Sequence, residues 1–237
     1  MMDINVNAKN KSANTVIFDR DGVLTYFDIA RAQEFFRPLV PYSVFELAKR
    51  WQKWGLEVGF PATIEQEQAF FSGFWQQLRQ ENQLNDVQYS TLAECRYTDF
   101  MQSYPEAADV LQTLKRRNVR VGVLSNFSLA SLDASLQAVG IREWIDVACA
   151  ATVIGYAKPQ PEAYQHVARL LQTPPEACLF FDDELPCVEG AQQVGMKSYF
   201  VDRQVDGVTP PRNTIPSNTI RNLREVLSLL SDEPFGN

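Results

Sequence analysis

Residues 15–28 read TVIFDRDGVLTYFD. Four apolar or β-branched residues, Thr15 to Phe18, run straight into Asp19, Arg20, Asp21 and Gly22. A run this short and this apolar reads as a strand buried on both faces. Two carboxylates two residues apart repel each other unless a cation sits between them or a proton is shared. The stretch therefore predicts a short buried strand whose carboxyl end carries a charged site.

Further along, residues 119–124, 147–151, 178–181 and 198–201 are short apolar runs of strand length. Between them lie helical patterns at 106–117, 129–139, 161–171 and 188–194, the second closing on Gly140 and the last on Gly195. Strands alternating with helices predict a parallel sheet covered on both faces. Residues 29–100 break the rhythm, with no clear strand and dense aromatics: Phe35, Phe36, Trp51, Trp54, Phe70, Phe71, Phe74 and Trp75. Their helix-like spacing predicts a helical insertion with its own core, two or three of the rings lining a substrate pocket. Residues 206–218 read as a loop, and Asn218 or Thr219 as the cap of a last helix through Leu230.

A chain of 237 residues suffices for one large domain or one domain with an insertion. Its 45% apolar and 22% charged residues are ordinary for a globular protein. The net charge of −7 argues against nucleic-acid and membrane-surface partners, which need a basic stripe. No run approaches the ~18 apolar residues of a membrane span. Residues 1–13 are polar, without the apolar core of a signal peptide, and read as a disordered lead-in. Cys95, Cys149, Cys178 and Cys187 form no C-x-x-C pair and read as free thiols, so a cytoplasmic location is expected.

Open parallel sheets place ligands beyond the carboxyl ends of their strands. There the sequence collects Asp19 and Asp21, then Ser125 and Asn126, then Lys158, then Asp182, Asp183 and Glu184. No Gly-rich phosphate loop is present, which argues against P-loop and dinucleotide chemistry. Carboxylates from two strand ends make a hard oxygen site suited to Mg²⁺. One carboxylate can attack phosphorus; a second can protonate the leaving oxygen and then deprotonate water. Ser125 and the main-chain N–H of Asn126 can hold phosphoryl oxygens, and Lys158 adds a fixed positive charge. The sole histidine, His166, lies inside a helical pattern away from every strand end and reads as structural.

Four segments resemble, in order, the motifs of the haloacid dehalogenase-like (HAD) hydrolase superfamily: FDRDGVLT, LSN, AKPQPEAY and FFDDELPCVEGAQQVGM. The resemblance covers residues 14–26 and 100–204. It implies an α/β fold: a Rossmannoid three-layer parallel-sheet core (14–26 and 100–237) with an inserted α-helical cap (27–99). It also implies Asp19 as nucleophile, Asp21 as general acid/base, and Ser125, Asn126 and Lys158 as phosphate-binding residues. Mg²⁺ would be held by Asp19, the carbonyl of Asp21 and Asp183, with Asp182 as an alternative ligand, since either member of a D-D pair can face the metal. The implied reaction is Mg²⁺-dependent hydrolysis of a small-molecule phosphomonoester through an aspartyl-phosphate. Dehalogenase and phosphonatase relatives lack the second aspartate, so Asp21 argues against both. A sugar phosphomutase and a non-catalytic scaffold on the same fold stand as alternatives. The sequence departs from the family at Pro186 and Cys187, where Asn or Asp is frequent, and at Arg20, where apolar residues are common. It names neither the substrate nor the oligomeric state.

Overall fold

A computed structural model describes residues 15–203 and 215–230. The expected lead-in at 1–13 and most of the loop expected at 206–218 lie outside those residues. The chain opens with β1 (Thr15–Phe18) and β2 (Thr25–Phe27), followed by α1 (Ile29–Phe36), α2 (Val44–Val58), α3 (Ile64–Asn82) and α4 (Asp86–Glu94). β3 (Met101–Ser103), α5 (Ala107–Arg116), β4 (Arg120–Ser125), α6 (Leu132–Ala138), β5 (Val147–Ala150), α7 (Ala151–Ile154) and α8 (Pro161–Leu170) come next. The chain continues through β6 (Cys178–Asp182), α9 (Leu185–Gln193), β7 (Lys197–Val201), β8 (Thr219–Ile220) and α10 (Arg224–Leu229).

Six strands form one parallel sheet in the order β5-β4-β1-β6-β7-β8. β1 is central, with Phe18 level with Val123 of β4 and Phe181 of β6. Alternate side chains serve opposite layers, as strand geometry requires. Val16 and Phe18 pack with Val110, Leu114, Leu136 and Val226, so α5, α6 and α10 cover one face. Ile17 and Phe180 pack with Tyr164, Val167 and Ala191, so α8 and α9 cover the other. The result is a three-layer α/β core, and burial on both faces explains why the strands read as unbroken apolar runs.

α1 to α4 form a separate helical group with its own apolar cluster, including Phe36, Leu47, Phe74, Trp75 and Leu78. Local chemistry starts each helix. Asp28 caps α1, Ser43 and Glu46 form a capping box on α2, Thr63 caps α3, and Asn85 and Gln88 form a capping box on α4. Where the chain leaves and re-enters the sheet layer, β2 and β3 pair as a short antiparallel ribbon. Its three-residue strands are too short to carry a readable alternation.

Three boundaries differ from the sequence reading. Thr219 and Ile220 do not open the last helix. They add β8 to the sheet edge, with Ile220 buried beside Val201, and α10 starts at Arg224, whose N–H is accepted by the Asn222 side chain. α9 begins at Leu185, earlier than its apolar stripe, because Pro186 is tolerated in a first helical turn. α6 begins later than its stripe, at Leu132, directly after Ser131, whose N–H is accepted by the Glu67 carboxylate. The four cysteines are free, and burial pushes the thiols of Cys149 and Cys178 up to about 11 and about 12.

Candidate active site

The strand order sets β4, β1 and β6 side by side, and their carboxyl ends bring Ser125, Asp19 and Asp182 together. The Asp19 N–H continues the ladder to the Phe181 carbonyl (2.8 Å), so its side chain emerges at the sheet edge. The chain then turns sharply. Gly22 sits at φ +74°, its N–H bonds the Thr25 carbonyl, and Thr25 N–H returns to Arg20 (2.8 Å each). A Cβ on Gly22 would lie 2.1 Å from a carboxylate oxygen of Asp183. Glycine is required there twice over, for the left-handed turn and for the approach of Asp183.

Lys158 is the hub. Its ammonium lies 2.8 Å from Asp19 Oδ1 and 2.7 Å from Asp182 Oδ2, with only 2% of the side chain exposed. Asn126 holds the lysine main chain from both sides: Lys158 N–H donates to Asn126 Oδ1 (2.7 Å) and Asn126 Nδ2 donates to the Lys158 carbonyl (2.9 Å). Burial alone would lower the lysine, but Asp19 and Asp182 override it and hold the ammonium above its ordinary range. Burial raises Asp19, an effect opposed by Lys158 and reinforced by Asp21. Burial likewise pushes Asp182 up to about 7, and Asp183 up to about 6 with a further contribution from Asp19.

The two members of the D-D pair are not equivalent. Asp182 is fully buried and both its oxygens are taken, Oδ2 by Lys158 and Oδ1 by the Glu184 N–H (2.8 Å). Asp183 points across the turn onto Gly22. Ligand oxygens of Asp19, Asp182 and Asp183 lie within 4.8 Å of one another. Three carboxylates against one lysine leave negative charge uncompensated, and the buried Asp19 Oδ1, though beside Lys158, has no aligned hydrogen-bond donor. Both features fit a divalent cation on a hard oxygen donor set.

Arg20 has a role the sequence did not suggest. Only 3% of its side chain is exposed, and it folds back onto Asp21, with Nη2 2.5 Å and Nε 3.1 Å from Oδ2. Nη1 donates to Ser135 Oγ (2.9 Å), and the guanidinium lies 3.9 Å from the centre of the Phe127 ring. Thr25 Oγ1 adds a donor to Asp21 Oδ1 (3.2 Å). The Asp21 side chain itself is 49% exposed and faces the cavity. A charged residue inside an apolar-acidic motif was the available signal; its partners lie on β4–α6, more than a hundred residues away.

From these residues a cavity of about 660 Å³ extends between the sheet edge and α1–α3. Five of the eight singled-out aromatics line it, Phe36, Trp51, Phe71, Phe74 and Trp75, more than the expected two or three. Glu67 of α3 spans from the helical group to the core, accepting from Ser131 N–H (2.9 Å) and Ser131 Oγ (2.5 Å). No sequence signal marks that contact. His166 lies within α8 and does not line the cavity.

The model of the haloacid dehalogenase-like hydrolase family matches residues 13–195. Phosphatase MT3486 of Mycobacterium tuberculosis (strain CDC 1551 / Oshkosh) is 40% identical over 195 residues, covering 81% of this chain and 88% of that protein. Human haloacid dehalogenase-like hydrolase domain-containing protein 3 is 30% identical over 138 residues, 53% of this chain and 55% of that protein. Pyrophosphatase PpaX of Bacillus anthracis (strain CDC 684 / NRRL 3495) is 24% identical over 136 residues, 57% of this chain and 63% of that protein. Among solved structures, the L-2-haloacid dehalogenase PA0810 superposes with a TM-score of 0.66 at 16% identity, covering 92% of this chain and 99% of that one. At that identity the likeness is one of fold.

Proposed function

Because the chain belongs to the haloacid dehalogenase-like hydrolases, we propose that it is a Mg²⁺-dependent phosphatase releasing inorganic phosphate from a phosphomonoester through an aspartyl-phosphate on Asp19. The observation that carries this reading is Asp19 at the end of β1, held by Lys158, with Asp183 beside it and Asp21 two residues on. The relative named a phosphatase, 40% identical over most of both chains, supports it.

Asp19, Asp183 and the main-chain carbonyl of Asp21 are the groups that would hold Mg²⁺; Asp182 has both oxygens committed and instead anchors Lys158. When bound, the ion offsets the charge of the carboxylates and of the phosphoryl group.

The chain's own residues supply the rest. Asp19 forms a bond from a carboxylate oxygen to phosphorus as the ester P–O bond breaks, and Asp21 gives its proton to the departing alkoxide. Asp21, now ionised, takes a proton from water as the water oxygen attacks the same phosphorus. Phosphate leaves and the Asp19 carboxylate is restored. Lys158, Ser125 Oγ and the Asn126 main-chain N–H would bear the phosphoryl oxygens. The helical group over the site would act as a cap that excludes water.

Asp19→Asn is expected to lower phosphate release from a turned-over ester by ~10⁴-fold or more, with the melting temperature of the fold retained. Turnover equal to wild type in a clean preparation would refute the mechanism. Removal of divalent ions with EDTA should abolish wild-type release, and added Mg²⁺ should restore it.

A further inference from the structure

The cavity has two chemistries. Its floor, at the sheet edge and the loops beyond it, gathers the polar lining: Asp19, Asp21, Ser125, Lys158 and Asp183, with Ser128 and Glu184 beside them. Its wall, from Ile29 to Trp75, is contributed by α1, α2 and α3, and none of those lining residues carries a charge, a hydroxyl or an amide; the indole N–H groups of Trp51 and Trp75 are their only side-chain polar atoms. Leu47, Trp51 and Phe71 are typical of it. Beyond α4 the wall adds the Cys95 thiol and the Tyr97 hydroxyl, and the latter is already engaged with Ser131 (3.2 Å to Oγ). Ile29 and Phe45 continue the apolar lining to solvent, 44% and 63% exposed.

A sugar or nucleoside leaving group brings several hydroxyls, each of which loses water on entry and must find a partner. Between α1 and α3 this wall offers them two indole donors and no side-chain acceptor. A hydrocarbon chain needs no partner and gains by leaving water. Given the phosphatase reading, on which this inference rests, we propose that the substrate is the monophosphate ester of a long hydrophobic alcohol. Its phosphate lies on Asp19 and Lys158, and its tail runs along Leu47, Trp51 and Phe71 between α2 and α3.

The test is phosphate release by the full-length protein with Mg²⁺ from n-butyl, n-octyl and n-dodecyl phosphate below their micelle concentrations. A hexose monophosphate and p-nitrophenyl phosphate serve as comparisons. The expected result is a kcat/KM that climbs roughly fourfold per methylene until the cavity is filled, with the hexose phosphate far below n-octyl phosphate. A flat alkyl series alongside turnover of p-nitrophenyl phosphate would overturn the tail assignment and leave the phosphatase reading intact. No release from any ester would overturn the phosphatase reading. Calorimetric binding would then decide the tail alone: affinity rising with chain length upholds the apolar site, and equal affinities for alkyl and hexose phosphates reject it.

A second variant probes the location. Ala48 lines the cavity from α2 and is solvent-exposed, so a larger side chain there can be built without overpacking a core. Ala48→Trp should lower the n-octyl to n-butyl ratio of kcat/KM by about tenfold through lost room for the tail. An unchanged ratio in the folded variant would place the tail elsewhere and refute the proposal.

Discussion

Arg20 and Asp21 are neighbours in sequence, yet the fork of one grips the carboxylate of the other. In an extended strand adjacent side chains face opposite sides; the turn at Gly22 is what lets these two meet. The grip fixes where the Asp21 carboxylate points, and Ser135 and the Phe127 ring fix Arg20 in turn. Arg20 is therefore a positioning residue. Arg20→Met is expected to lower kcat by roughly tenfold to a hundredfold, less than the ~10²–10⁴-fold attached to a general acid/base itself, with KM little changed. Arg20→Lys should recover only part of the loss, because an ammonium restores the charge and not the fork. A rise in KM at constant kcat would instead place Arg20 in substrate binding.

At the level of elements, three short parallel strands assemble the site, and α1, α2 and α3 line the cavity above it. β4, β1 and β6 deliver one chemical group each at their carboxyl ends, and none of the three exceeds six residues. α3 is the helix that ties this wall to the core. Its Glu67, almost fully buried, accepts two hydrogen bonds from Ser131, at the start of α6. Hydrogen bonds to a charged acceptor are worth about 1.5–3 kcal/mol. Glu67→Gln keeps the shape and removes the charge, so closure over the cavity should weaken. The expected outcome is a fall in kcat/KM of roughly tenfold and faster hydrogen exchange of the α3 amides, with the sheet amides unaffected. Unchanged exchange in α3 would show that the contact does not hold the helices down.

The whole molecule carries a net charge of −7 and concentrates uncompensated carboxylates in its interior. Burial holds Asp183 at about 6 and Asp182 at about 7, well above the ordinary range of a carboxyl group. Between that range and those values the folded chain binds protons more tightly than the unfolded chain. The stability they contribute is present below the unfolded value and is lost as pH rises through the folded ones. Lys158, raised above its ordinary range, does not titrate in that window. Without metal, the melting temperature is expected to fall as pH rises from about 4 to about 7.5, by several degrees or more. Mg²⁺ favours the ionised carboxylates, so it should raise the melting temperature near about pH 8 and have little effect near about pH 5. Melting curves identical with and without Mg²⁺ across that range would contradict a metal site at these carboxylates.

The sequence by itself determined the class of fold, because both-face burial writes parallel strands as unbroken apolar runs and helices as stripes between them. The residues that converge at the sheet edge were legible for the same reason. Asp19, Ser125 and Asp182 follow directly on such runs, and Lys158 lies in the stretch after a further one, where an open parallel sheet exposes its ligands. What only the tertiary structure decided has a common cause, contact across distance in the chain. Asp182 and Asp183 are chemically identical in sequence; Lys158 and the Glu184 N–H saturate one, and the Gly22 turn receives the other. Arg20 needed Ser135 and Phe127, and Glu67 needed Ser131, partners no local pattern encodes. Thr219 and Ile220 became a strand because β7 offered an open edge, which outweighed a capping signal worth about 1 kcal/mol. The aromatics of α1–α3 announced helices, but which of them face a cavity was settled by how three helices lean over one sheet edge.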